Sequence, residues 1–200
     1  KIPYVLIVNS SFAAKSLEEF IGAAKARPRQ VNYSSGGNGH ATHLEMELIA
    51  RRAGIELVHV PYKGTGPALQ AVVSGEVAAT AIGLGIALPQ IASGKVRALV
   101  IGGPRAKDML PKVPDLLSAL PDSEYVSWQA LFAPAGTPAA IVDRLNGELA
   151  RALRLPEIQK QLADVGMAAI ASSPAELDRV LRADMNTNRE LVKALGLKLD

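Results

Sequence analysis

The chain has 200 residues, 48% of them hydrophobic and 20% charged, so it can bury a core for one sizeable domain or two small lobes, and disorder is excluded. A net charge of only +3, with no dense basic cluster and 4% aromatic residues, excludes the basic stripe and stacking platforms that nucleic acid needs. The absence of Cys excludes disulfide and thiolate chemistry but fits any compartment.

The opening "KIPYVLIVNS" predicts a strand over Tyr4–Val8. It reads as a chain met partway, with no leader ahead of it. Ser16-Leu17-Glu18-Glu19 has the form of a capping box, so a helix follows with Leu17, Phe20, Ile21 and Ala24 on one face and Arg27-Pro28 as its stop. Val31–Tyr33 predicts a short strand. The small polar loop "SSGGNG" comes next, then a helix from about His40 to Ala53 closed by Gly54. Glu56–Val60 predicts a strand, "PYKGTGP" a second such loop, and Pro67 the first residue of a helix ending at Ser74-Gly75. Val77–Ile82 predicts a strand, "GLG" a third loop, then a short helix closed by Ser93-Gly94 and a strand over Lys95–Gly102. The most apolar stretch, Val77–Ile91, is interrupted by Gly83, Gly85 and Pro89 and is too short to span a bilayer. Residues 103–125 read as a Pro-rich connector with short helical pieces, and "SWQALFAPAGTP" as another strand and loop. Three helices follow, beginning at Thr137-Pro138, at Pro156 and at the capping box Ser173-Pro174-Ala175-Glu176.

Strand, loop and helix thus alternate three times, which predicts an α/β fold with an open, mostly parallel sheet and a helical tail. Ligands of such sheets bind at the carboxyl ends of the strands, where the loops around 34–40, 62–66 and 82–85 should converge. Glycines in one such loop need only serve a tight turn, but three loops of this composition in register point to a site. The candidate ligand contacts are Ser34, Ser35, Gly37, Asn38, Gly39, His40, Gly64, Thr65 and Gly83. Backbone N–H groups at a helix mouth suit an anion.

Sharper motifs are absent. With Gly37 and Gly39 as the first pair, the third position of a dinucleotide fingerprint is Thr42, and no Gly-Lys-Ser/Thr follows either loop. His40, His43 and Glu47 share one helical face, but a solvent-facing histidine pair is the better reading, and no metal is expected. His59, inside an apolar strand, reads as a satisfied structural residue, and Lys63 as a solvated lysine. No Gly-x-Ser-x-Gly elbow and no carboxylate pair at a loop supports catalysis. No cofactor is expected.

The run "YSSGGNGHATHLEMELIARRAGIELVHVPYKGTGPALQAVVSGEVAATAIGLGIALPQIASGKVRALVIG", with "SWQALFAPAGTPAAIVDRLNGEL" downstream, closely resembles the Bug-type solute receptors, periplasmic binding proteins of tripartite tricarboxylate transporters. "HVPYKG", "GKVRAL" and "LFAPAGTPAAIV" are distinctive in combination, and the resemblance covers essentially the whole chain. It implies a two-lobed, type II-like periplasmic-binding-protein fold with a cleft for a small organic carboxylate, membrane transporter subunits as partners, and no reaction. It further implies that a signal peptide and most of lobe one lie outside this sequence. Residues 1–126 would then form lobe two, and 127–200 would cross back to pack on lobe one. The loop matching Ser34–His40 would hold the carboxylate through its backbone and hydroxyls, often by way of water. Family members often carry aspartate where this chain has Ala78 and Ile82, so their absence points away from amino-acid ligands and toward a plain carboxylic acid. Exposed apolar faces on the tail helices imply a homo-oligomer. The alternatives are an effector-sensing domain of a transcriptional regulator with the same fold, and a small α/β enzyme acting on a carboxylate.

Overall fold

The computed structural model describes residues 2–103, 106–121, 123 and 127–196. Five strands, β1 (Tyr4–Asn9), β2 (Asn32–Ser35), β3 (Val58–Pro61), β4 (Ala79–Gly83) and β5 (Val96–Gly102), form one sheet in the order β3-β2-β4-β1-β5. The first four long helices are α1 (Leu17–Ala26), α2 (Ala41–Ala53), α3 (Thr65–Ser74) and α4 (Leu84–Ala92). Two single-turn helices, α5 (Ala106–Met109) and α6 (Leu116–Ala119), precede the tail helices α7 (Ala139–Ala152), α8 (Pro156–Asp164) and α9 (Pro174–Leu195).

The sheet is mostly parallel, as expected, with one reversal. β2 pairs parallel with β3 and β4, whereas β1 runs antiparallel between β4 and β5. All six residues of β1 are buried, which is why "YVLIVN" shows no alternation of apolar and polar residues: both of its faces are covered. Leu6 and Val8 face one core with Phe20, Tyr33, Met46 and Ile49, and Val5 and Ile7 face a second with Leu69, Val72, Ile82 and Leu84.

Local chemistry sets the ends of these elements. The Ser16 hydroxyl accepts the Glu19 N–H at 3.1 Å, while the Glu19 carboxylate accepts the N–H of Lys15, one residue earlier than a standard capping box. α9 carries the full reciprocal box between Ser173 and Glu176. β3 starts at Val58 rather than Glu56, because the Glu56 carbonyl is occupied by the Arg29 N–H and pairing with β2 begins at Val58. α3 starts at Thr65, with Pro67 as its third residue.

One expected strand is missing. In "SWQALFAPAGTP" only Ser127 forms a bridge, to Ile2, and Leu131 and Phe132 are 75% and 65% exposed. A strand needs a neighbour for its backbone groups, and none lies beside this segment among the described residues. Part of the expected connector, residues 104, 105, 122, 124 and 125, lies outside the described residues. Ile141, Leu145, Val180 and Met185 on α7 and α9 are each about half exposed.

Candidate functional site

The expected convergence of loops is present. β2, β3 and β4 end side by side, with Ser35 opposite Pro61 in register. The Tyr62 N–H donates to the Ser35 carbonyl at 2.9 Å and the Gly64 N–H to the Gly36 carbonyl at 3.1 Å, which locks the first two loops together. The reversed β1 brings its own amino end to the same edge, where the Pro3 carbonyl accepts the Leu84 N–H at 2.8 Å. The amino ends of α2, α3 and α4 therefore share one edge of the sheet, and their dipoles make it electropositive.

The expected ligand residues divide into two groups. Ser34 is fully buried and faces away from the edge: its hydroxyl donates to the Ala68 carbonyl at 2.8 Å, and its own carbonyl accepts the Thr80 hydroxyl. In this structure the Ser34 hydroxyl and carbonyl tie β2 to α3 and β4. Ser35 is buried as well, with its Oγ accepting the Gly37 N–H at 3.1 Å and lying 2.6 Å from His59 Nε2. Amides of the first loop are likewise engaged within the protein. The Gly36 N–H donates to Thr42 Oγ1 at 2.9 Å and the Gly39 N–H to His43 Nδ1 at 3.0 Å. The loop thus consumes most of its own donors. Gly37 and Gly39 have φ of +131° and +69°, which only glycine adopts without strain.

What faces outward is different. Asn38 is exposed at the loop tip. His40 caps α2, its Nδ1 accepting the Thr42 N–H at 3.2 Å. A neutral ring in that role carries its proton on Nε2, which has no partner among the described residues and is the donor left for a ligand. On α3, the cap Gly64 (φ +104°) makes no side-chain capping bond, and the N–H groups of Thr65 and Gly66 have no acceptor among the described residues. Gly83 caps α4 without a side-chain bond and sits against Ile2. Lys63 is exposed.

Beneath the first loop lies a cluster that sequence reasoning missed. His43 is buried rather than solvent-facing, and its ring stacks on that of His59 with centroids 3.8 Å apart and planes 10° apart. Tyr33 also stacks on His59, with centroids 5.0 Å apart, and its hydroxyl donates to Glu47. Glu47 Oε1 lies 3.9 Å from His43 Nε2. Among the described residues no three His, Asp or Glu side chains are arranged to hold a metal ion. Burial holds His40 and His43 below the usual imidazole value, and burial with the adjacent His43 ring pushes His59 from 6.5 down to about 4. Burial and Glu47 raise the Tyr33 phenol well above its usual range. For histidines with lowered folded values, the stabilisation is present above pH 6.5 and is lost as pH falls through the lowered value, near 4 for His59. Urea unfolding at a series of pH values is therefore expected to show stability falling across that window, and a flat profile would contradict the cluster as described.

Burial bears on the two positions where the resemblance leads to aspartate. Ile82 is 0% exposed and packed in the second core, so it does not line the edge, and Ala78 packs against the first core. A cavity of about 280 Å³ adjoins the start of α2, lined by Ala41, Trp128, Asp184 and Asn188 among others, with the Trp128 indole N–H bonded to the Asp184 carboxylate. No helix among the described residues is long and apolar enough to cross a membrane.

Solved structures share this architecture over almost the whole chain. Rpa4515 of R. palustris, solved with adipate, is 30% identical with a TM-score of 0.92, covering 98% of this chain and 66% of that one. MatC (Rpa3494) from Rhodopseudomonas palustris with bound malate is 31% identical with a TM-score of 0.84, covering 96% and 66%. The periplasmic binding protein BugD is 26% identical with a TM-score of 0.91, covering 98% and 67%. The fold is that of periplasmic binding proteins. Most of the curated relatives that the chain matches are longer: it spans 57% of one from Pseudomonas sp. (strain P51) and 61% of BugT from Bordetella pertussis, each 31% identical to it. Residues 1–197 match the tripartite tricarboxylate transporter family receptor, TctC, and the chain belongs to that family.

Proposed function

We propose that this chain supplies one wall of the ligand cleft of a periplasmic solute receptor, which binds a small organic carboxylate and delivers it, unchanged, to the membrane subunits of a tripartite tricarboxylate transporter. The observation that carries this reading is the convergence of three helix amino ends at one edge of the sheet, with the Thr65 and Gly66 N–H groups and His40 Nε2 without a partner there among the described residues. Carboxylates held in two neighbouring folds, adipate in Rpa4515 and malate in MatC, support the ligand class. Residues 1–126 act as the ligand-binding lobe in this reading. The exposed apolar residues of α7 and α9 pack on the remainder of a receptor that is about half as long again.

Magnitudes set the affinity of this wall alone. Hydrogen bonds to a charged group contribute roughly 1.5–3 kcal/mol each, so two or three give about 3–9 kcal/mol. Lost freedom of motion costs an estimated 4–15 kcal/mol. The cost offsets most or all of the gain, and these 200 residues are expected to bind mono- and dicarboxylates at about millimolar Kd or weaker, no more favourably than about −4 kcal/mol. Calorimetry with a panel that includes adipate and malate tests this. A micromolar complex would mean that a complete site lies within the chain, and turnover of any panel member would replace the receptor reading with an enzyme.

The uncovered faces of α7 and α9 carry a second expectation. Light scattering should find these residues self-associated, since apolar patches of this kind are seldom left in water. A monodisperse monomer would contradict it.

A further inference from the structure

We propose that His43 and His59 are positioning residues of this edge: as a stacked, uncharged pair they hold the glycine loop 36–39 in one shape, and protonation of His43 releases it.

The bonding pattern requires this protonation state. His43 Nδ1 accepts the Gly39 N–H at 3.0 Å, so that nitrogen carries no proton, and the ring's single proton sits on Nε2, toward Glu47. His59 Nε2 lies 2.6 Å from Ser35 Oγ, which in turn accepts the Gly37 N–H. The two stacked rings therefore secure alternate amides of the loop, at the two positions where φ is positive. His59 can be protonated and still donate to Ser35. His43 cannot, because a proton on Nδ1 sets two donors against each other. Two imidazolium rings stacked at 3.8 Å would also repel.

The groups facing the pair come from β2 and α2. Tyr33 on β2 lies flat against His59, its ring 6.4 Å from that of His43. Glu47 and His40 lie on and at the mouth of α2, and His40 is engaged with Thr42. Glu47 favours a charged His43, but it also accepts the Tyr33 hydroxyl, and burial outweighs it. The lowered values of both rings agree with a pair that stays neutral near pH 7 and charges on acidification. Resting on the reading of this edge as a carboxylate wall, the consequence is a binding loop shaped at neutral pH and loosened in acid.

The test is ¹⁵N NMR of the full chain across about pH 4 to 7, following the Gly39 amide and the imidazole nitrogens. Protection of the Gly39 amide from solvent exchange, corrected for the intrinsic pH dependence, is expected to fall roughly tenfold with the midpoint of His43 titration, the equivalent of one net hydrogen bond. His43→Asn keeps an acceptor oxygen near the place of Nδ1 and should retain the protection without the pH dependence. His43→Leu should lose it at every pH. Constant Gly39 protection through the titration of His43 in the unaltered chain overturns the proposal, whatever the variants do. Adipate is the second probe. Its binding should weaken with the same midpoint in the unaltered chain but not in His43→Asn, and the difference between the two profiles removes titration of adipate itself. Adipate binding that strengthens in acid relative to His43→Asn would also overturn it. If Gly39 follows His43 while adipate shifts no residue of this edge, the positioning stands and the ligand reading fails.

Discussion

Ile82→Asp is expected to destabilise the protein by more than about 4 kcal/mol at neutral pH, and by less as the pH is lowered. Ile82 lies in β4 opposite Val5 and is fully buried among Val5, Ile7, Leu69 and Leu84. Removing its side chain forfeits roughly 1.5–3 kcal/mol of apolar burial. A carboxylate put in its place has no cation or donor beside it in that core, and taking such an ion out of water costs several kcal/mol more. The introduced group would escape by holding its proton, so its folded value rises above the unfolded one. Stability then falls as pH rises through the carboxyl range and recovers in acid. Urea unfolding at two pH values measures both effects. A variant as stable as the parent would show that this position opens on solvent, and the resemblance-based placement of an aspartate at the ligand would return.

Gly39→Pro is expected to cost about 2–5 kcal/mol and to abolish the shape of the first loop. The residue sits at φ +69°, whereas proline is held near −65°. A left-handed backbone costs a non-glycine residue roughly 1–2 kcal/mol. The substitution also removes the N–H that His43 Nδ1 accepts, and a buried acceptor left unpaired costs about 1–3 kcal/mol. Gly39→Ala should show only the backbone part. Lys63→Ala, at an exposed position in the neighbouring loop, should stay within about 0.5 kcal/mol. Equal losses for proline and alanine would mean that the bond to His43 contributes nothing, and a larger loss at Lys63 would place a point charge, not a shaped backbone, at the centre of this edge.

Local signals carried most of the fold. The unbroken apolar run of β1, the Ser16 and Ser173 caps, and the glycines at 54, 75 and 166 each act within a few residues, so their consequences can be read without tertiary knowledge. The reversal of β1 could not be read that way, because nothing within "YVLIVN" distinguishes a parallel neighbour from an antiparallel one. Residues 127–132 have strand-forming residues but no partner strand among the described residues, and pairing decides such segments. The candidate site was legible as a set of converging loops and not as a set of donors. Its loops were identifiable from composition, but the fate of their amides depends on residues brought from elsewhere. His59 reaches Ser35 across 24 positions because β3 pairs in register with β2, Tyr33 opposite His59. Ser34 turns inward because strand alternation sends neighbouring side chains to opposite faces.

The measurement that bears most directly on the carboxylate wall is an amide chemical-shift map of this chain titrated with adipate and, separately, malate, to concentrations well above millimolar. Saturable shifts are expected at Asn38, His40, Thr65 and Gly66, in one contiguous patch at the carboxyl edge of the sheet, with Lys15 and Lys95 at the opposite edge unmoved. Shifts centred on the cavity lined by Trp128, Asp184 and Asn188, or no saturable shift at any residue, would contradict it.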